Sequence, residues 1–133
     1  MSINRFLSIV IIVMTGFFQA HAEGAPKISF EKTTADFGVF TENSPKHKAV
    51  FKFTNTGDKP LIIVRVRASC GCTTPTFSKA PIMPGKSGTV TVEYDGTNRA
   101  PGFFQKSINV YTNDSIGMVR LYIKGEMKRE SRQ

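Results

Sequence analysis

The chain has no tryptophan, and its 133 residues include only two cysteines and two histidines. Without tryptophan it lacks the Cys, Trp, Cys spacing of true immunoglobulin domains. Cys70, Cys72 and His47 are too few ligands for a structural zinc site, which takes four. Hydrolysis by a nucleophile and base requires a histidine beside a serine or cysteine, oriented by an acid. His47 lies among lysines in SPKHKAV and reads as a solvated residue at the start of a strand. No GxSxG elbow, P-loop, internal repeat or low-complexity tract occurs. The only paired carboxylates on one strand, Glu93 and Asp95, read as a solvated face. No window combines a helix start, an apolar stripe of helical period and a stop. The sequence therefore nominates no enzyme by motif.

Long apolar runs are scarce too. The longest, from Phe6 to Phe18, has thirteen residues and includes Ser8, Thr15 and Gly16, whereas a spanning helix needs about 20 apolar residues. With Arg5 before it and Ala20-His21-Ala22 after it, the run reads as an export leader, residues 1 to 22, cleaved between Ala22 and Glu23. No cysteine lies near that point, so no lipid anchor is expected. The expected product, residues 23 to 133, is periplasmic or secreted and keeps no integral membrane segment. Its 111 residues suit one domain.

Acidic residues are also few, 10 against 18 basic ones, for a net charge of +8, or +7 once the leader and its Arg5 are removed. An exported protein does not meet nucleic acid. Its nearest anions are lipid headgroups and acidic glycans. The lysines are spread from Lys27 to Lys128, as expected of a solvated surface.

The remaining sequence alternates with period two. Ala49, Phe51 and Phe53 share one face, with Lys52 and Thr54 on the other. Val90, Val92 and Tyr94 do the same, followed by Ile108 and Val110, then Val119, Leu121 and Ile123. The stretch LIIVRVRA is apolar on both faces at first and reads as a central strand with Val64, Val66 and Ala68 inward. Arg65 and Arg67 point outward there and form a candidate contact patch. NTGDKP, PIMPGKSG, GTNRAPG and TNDSIG separate the runs with turn-forming residues. In these, Asn55 and Gly57 suit a tight turn, and Pro84 with Gly85 pre-sets another. About seven or eight such strands predict an all-β, immunoglobulin-like antiparallel sandwich with a core spanning roughly residues 28 to 127.

Cys70 and Cys72 exceed what such a fold requires. In an extended strand, residues two apart are separated by about 6.6 to 6.8 Å, the far limit for a disulfide. A bond therefore needs a bend, which Gly71 would permit. An oxidising compartment favours the bond, although the chain-entropy formula gives so small a loop only about 1.6 kcal/mol. Such a ring would be comparatively easy to reduce. The thiolates could alternatively hold Cu(I), with Met83 and His47 as the available helpers. A third reading is that both cysteines simply continue the buried face.

The order DFGVF, FKFTNTGDKPLIIVRVRASCGCTTP, PIMPGKSGTVTVEYD and GFFQKSINVYTND resembles the bacterial family known as domain of unknown function 1573. That family is similar in turn to the Ig-like domains of the major sperm protein and Hydin type. The resemblance covers about Phe30 to Lys124, and NTG followed by SCGCT is its most specific part. It implies an exported, non-enzymatic module that binds another exported protein or is structural, with no cofactor. The alternative is a thiol redox or copper-handling protein acting through Cys70 and Cys72.

Overall fold

Eight large side chains alternate inward along four strands and close on one another: Phe51 and Phe53, Val90 and Val92, Ile108 and Val110, and Leu121 and Ile123 are all fully buried. The intervening residues, such as Lys52, Glu93 and Arg120, are exposed, as half-buried strands require. The structure, a computed structural model, describes residues 24–131. The expected leader, residues 1 to 22, and its expected cleavage point between Ala22 and Glu23 lie outside the described residues.

The strands are β1 (Ile28–Phe30), β2 (Thr34–Thr41), β3 (Lys46–Asn55), β4 (Ile63–Ala68), β5 (Thr73–Phe77), β6 (Ser87–Asp95), β7 (Gly102–Thr112) and β8 (Met118–Lys128). They form two sheets of four, ordered β1-β3-β6-β5 and β2-β8-β7-β4. The molecule is an all-β, immunoglobulin-like sandwich.

Three local features depart from the sequence expectations. First, β2 pairs with β8 in parallel, while every other strand pair is antiparallel. The chain runs antiparallel to β3 as β1, crosses between the sheets at residues 31–33 and continues as β2. It then lies beside β8, whose direction the β7–β8 hairpin has already set. Second, β4 is an edge strand, not a central one. Third, its register slips between Ile63 and Arg65, so Val64 is a bulge residue and stands 62% exposed. The bulge inverts the parity of the strand. Ile63 points inward before it, and Val66 and Ala68 lean inward after it.

The turn at Pro84 and Gly85 forms as read. Lys86 N–H donates to the Met83 carbonyl at 3.0 Å, and Gly85 has φ +77°, the left-handed value required at the second corner when proline holds the first. Asn55 acts differently from its expected role. Its backbone is not left-handed, and its fully buried side chain is a hub. Its Nδ2 donates to the carbonyls of Lys59 (2.7 Å) and Ile82 (2.9 Å), and its Oδ1 accepts from the N–H groups of Gly57 (3.0 Å) and Lys27 (3.3 Å). A Cβ on Gly57 would sit 2.1 Å from the Ala25 carbonyl oxygen, so a side chain there would collide with the N-terminal segment.

Asp114 fastens the same end of the sandwich. It is buried, accepting from the N–H of Ile28 at 2.8 Å, from the N–H of Ile116 at 3.1 Å and from the Ser115 hydroxyl at 3.2 Å. Burial by itself pushes its pKa up. The two N–H donors, the hydroxyl and nearby Lys27 outweigh that and hold the carboxyl below the usual aspartate range.

Replacing Asn55 with alanine leaves buried backbone groups without partners, and urea unfolding should show a loss of about 2 to 4 kcal/mol. Because the native pKa of Asp114 is depressed, its contribution is complete above the ordinary aspartate pKa. It is lost as pH falls through the native value. Unfolding titrations from neutral to acid pH should therefore show a smaller acid-induced loss of stability in Asp114→Asn than in the parent protein. Parallel curves would contradict this.

Candidate functional site

The chain between β4 and β5 leaves one sheet and enters the other, and Cys70 and Cys72 occupy that crossover. They are joined by a disulfide with Cα atoms 5.2 Å apart, well inside the extended-strand spacing. Thr73 N–H donates to the Cys70 carbonyl at 3.1 Å, closing a four-residue turn. Both sheets hold it. Ser69 N–H donates to the Ser107 carbonyl (2.9 Å), and Asp95 N–H donates to the Cys72 carbonyl (2.9 Å). Cys72 is buried in the core and Cys70 is half-buried against it. The continued-face reading and the local-bond reading thus describe the same pair. Gly71 is not what the bend depends on, since its φ is outside the left-handed region and an added Cβ would meet no atom within 4 Å.

The copper set does not assemble. Met83 lies in the turn before β6, whereas Cys72 is bound to Asp95 at the far end of β6, about 27 Å away along a strand of this length. His47 stands opposite Tyr94 on β3, with β6 between it and the crossover. Its Nε2 is 3.0 Å from the Ser44 carbonyl and its ring lies 4.0 Å from that of Phe40. It is therefore a half-buried packing residue and not the solvated one expected. Among the described residues no group of three or more His, Cys, Asp or Glu is placed to hold a metal ion.

Arg65 and Arg67 are exposed on the outward face of β4, as expected. The structure adds partners that period alone did not disclose. The Arg65 guanidinium carbon lies 4.3 Å from the centroid of the Tyr111 ring on β7, a cation–π contact. Arg67 stands opposite Asn109, which in turn stands opposite Arg120 on β8. Arg120 Nε donates to Asn109 Oδ1 at 2.9 Å. Three guanidinium groups thus share one face, and two are steadied by neighbouring side chains. Reading β4 and β8 as neighbours of one strand would have found Arg120, but that adjacency is not written in either segment.

Two shallow grooves lie among the described residues. One, of about 470 Å³, lies over β2, β8 and β7 between the exposed Val39 and Phe103, with Asp36, Lys124 and Glu126 at its margin. The other, of about 330 Å³, crosses the opposite sheet. Glu93 and Asp95 line it, facing Lys48 and Lys46 across the strand pair. The side chain and N–H of Thr97 hold the Asp95 carboxyl below its usual range, with Lys46 assisting against some burial. That arrangement is a sheet face on which opposite charges alternate across the strand pair.

No curated protein matches the sequence. Among solved structures, a protein of unknown function from Porphyromonas gingivalis W83 superposes with TM-score 0.62 at 22% identity, over 77% of this chain and 46% of that one. The chain thus spans less than half the length of that neighbour. The ASH / PapD-like domain 7 of human CEP192 superposes with TM-score 0.63 at 9% identity, over 80% and 89% of the two chains. The CupB2 chaperone of Pseudomonas aeruginosa does so with TM-score 0.52 at 11% identity, over 79% and 57%. At these identities the likeness establishes the PapD-like and Ig-like fold. The sequence model described as "Protein of unknown function (DUF1573)" matches residues 28–127, which are the sandwich from β1 to the end of β8, and the chain belongs to that family.

Proposed function

We propose that this protein is an exported, non-enzymatic module that binds another exported protein through the outward face and edge of the β2-β8-β7-β4 sheet. The observation that carries the reading is the set of three arginines on that face. Arg65 is held on Tyr111 and Arg120 on Asn109, so part of the conformational cost of ordering long side chains is already met before a partner arrives. Arginine, with its planar fork of donors, is among the residues enriched where protein interfaces concentrate their binding energy. The leader supports export, and an oxidising compartment is consistent with the bonded cysteines. The fold that this chain shares with a chaperone and with an ASH domain supports a binding or structural role by analogy only.

A second reading keeps one observation in its favour. The half-buried Cys70 makes the Cys70–Cys72 bond a candidate for thiol exchange. In the binding reading the pair is a minor tie across the sheet crossover, because the loop it closes is so short.

Expression of the full chain in a Gram-negative host should release a periplasmic product beginning at Glu23, read by intact mass. A full-length cytosolic product would contradict export. A photo-crosslinking residue at Val64, exposed on β4 beside the arginines, should give a discrete protein adduct in the source cell, and one at Val50, exposed on the other sheet, should not. Equal labelling at both positions, or none at either, would defeat the binding reading. The double change Cys70→Ser/Cys72→Ser should keep the Val64 adduct and cost no more than about 2 kcal/mol in urea unfolding. Loss of the adduct in a folded double variant would favour the thiol reading.

A further inference from the structure

Two four-stranded sheets leave four edges: β1 and β5 in one sheet, β2 and β4 in the other. Each edge turns alternate backbone N–H and C=O groups toward open space, where a further strand could pair. Three of the four carry a feature that interrupts this row. In β1 the odd-numbered residues bond β3, as the flanking contacts of Lys27 with Thr56 and of Glu31 with Lys52 show. Ile28 therefore faces the open side, where the Asp114 carboxylate takes its N–H at 2.8 Å. In β5 the even-numbered residues bond β6, since Cys72 pairs with Asp95 and Ser78 with Thr89 on either side. Pro75 therefore falls on the open side and offers no donor. In β2 the register breaks between Asp36 and Val39. There Gly38 takes φ +68° and turns its N–H to the Asp36 carboxylate.

β4 has none of these features beyond its bulge at Val64. Ser69 N–H donates to the Ser107 carbonyl, which sets the odd-numbered residues toward β7 and leaves the N–H and C=O of Val66 and Ala68 facing outward from the sheet. Arg65 and Arg67 flank these groups on the solvent face, about 6.6 to 6.8 Å apart. Among the described residues the one salt bridge joins Lys52 and Glu31, so no carboxylate pairs with Arg65, Arg67 or Arg120. A second copy of β4 laid along this edge would set arginine against arginine, and like charges directly opposite destabilise a strand pair. A segment with carboxylates at alternate positions would set opposite charges there. Its other side chains, if small and apolar, would extend the inward face beside Val66 and Ala68. Tyr111 is already covered by Arg65, so that face offers no bare Tyr111 ring for a sugar to stack on.

We propose that the edge of β4 from Arg65 to Ala68 receives an extended acidic protein segment as a fifth strand, its alternate carboxylates paired with Arg65 and Arg67 and its backbone bonded to Val66 and Ala68. The inference rests on the binding reading above and names its site and partner chemistry.

The test uses the processed, disulfide-intact protein labelled with 15N and the end-blocked peptide TEVEVET. Saturable shifts are expected at the amides of Val66 and Ala68. Two N-methylated peptides, one at each set of alternate residues, should differ: one should weaken at least tenfold and the other should not. Arg65→Ser/Arg67→Ser should also weaken binding at least tenfold. The strand-addition mode is overturned if both N-methylated peptides bind like the parent, if alginate oligomers or phosphatidylglycerol vesicles bind more tightly at this face, or if millimolar peptide produces no shift. A crosslink at Val64 together with any of these results would overturn the acidic strand and leave the binding reading standing. Absence of both would remove the two together.

Discussion

Closure of two apolar sheet faces on one another is the constraint from which the rest of this structure follows. Phe51, Phe53, Val90 and Val92 from one sheet meet Ile108, Val110, Leu121 and Ile123 from the other, and all are fully buried. A sandwich built this way buries side chains well but leaves its ends and edges to be dealt with separately. The ends are closed by different chemistry. At one, Asn55 and Asp114 gather backbone groups from the N-terminal segment and the loops after β3 and β7. At the other, aromatic rings pack, with Tyr94 stacked on Phe104 at 4.2 Å and Phe40 against His47 at 4.0 Å. The disulfide crossover sits beside this aromatic end, tied to β6 and β7 by backbone bonds that do not need the sulfur atoms.

The edges show the same economy. A carboxylate, a proline and a left-handed glycine each interrupt one edge at a single residue, and each makes continuous pairing with a further strand less favourable there. β4 differs in kind. Its outward charge is of one sign and repels a copy of itself, while its backbone remains available. Selectivity of this form comes from what the edge refuses as much as from what it accepts.

What the sequence disclosed and what it hid divide along a physical line. Strand existence, the inward sets and the Pro84-Gly85 turn were legible because each is written within a few consecutive residues. The central placement given to β4 was wrong because edge position is a property of pairing, and a two-sided apolar start imitates a buried strand. Val64 was misplaced because one bulge residue reverses parity and leaves no mark on composition. The parallel β2–β8 pair and the partnership of Arg120 with Asn109 depend on which strands end up adjacent. Cys70 and Cys72 were visible at once, but their state depended on a turn that local spacing could only permit. The copper set failed for the same reason in reverse: Met83 and His47 were chosen by residue type, and the fold places them at the far end of β6 and on the far side of it. Asn55 was noticed for its backbone tolerance when its side chain is what matters, and Asp114 passed as an ordinary loop residue.

In the function proposed for this DUF1573 module, the open and selectively charged edge of β4 would receive an extended partner, and the core, caps and crossover would present that edge. Native-state amide hydrogen exchange on the processed protein tests this most directly. The account predicts rapid exchange at Val66 and Ala68 alongside slow exchange at Arg65, Arg67 and Ile28, the last held by Asp114. Strong protection of Val66 and Ala68 would show that their N–H groups already have partners, and would contradict it.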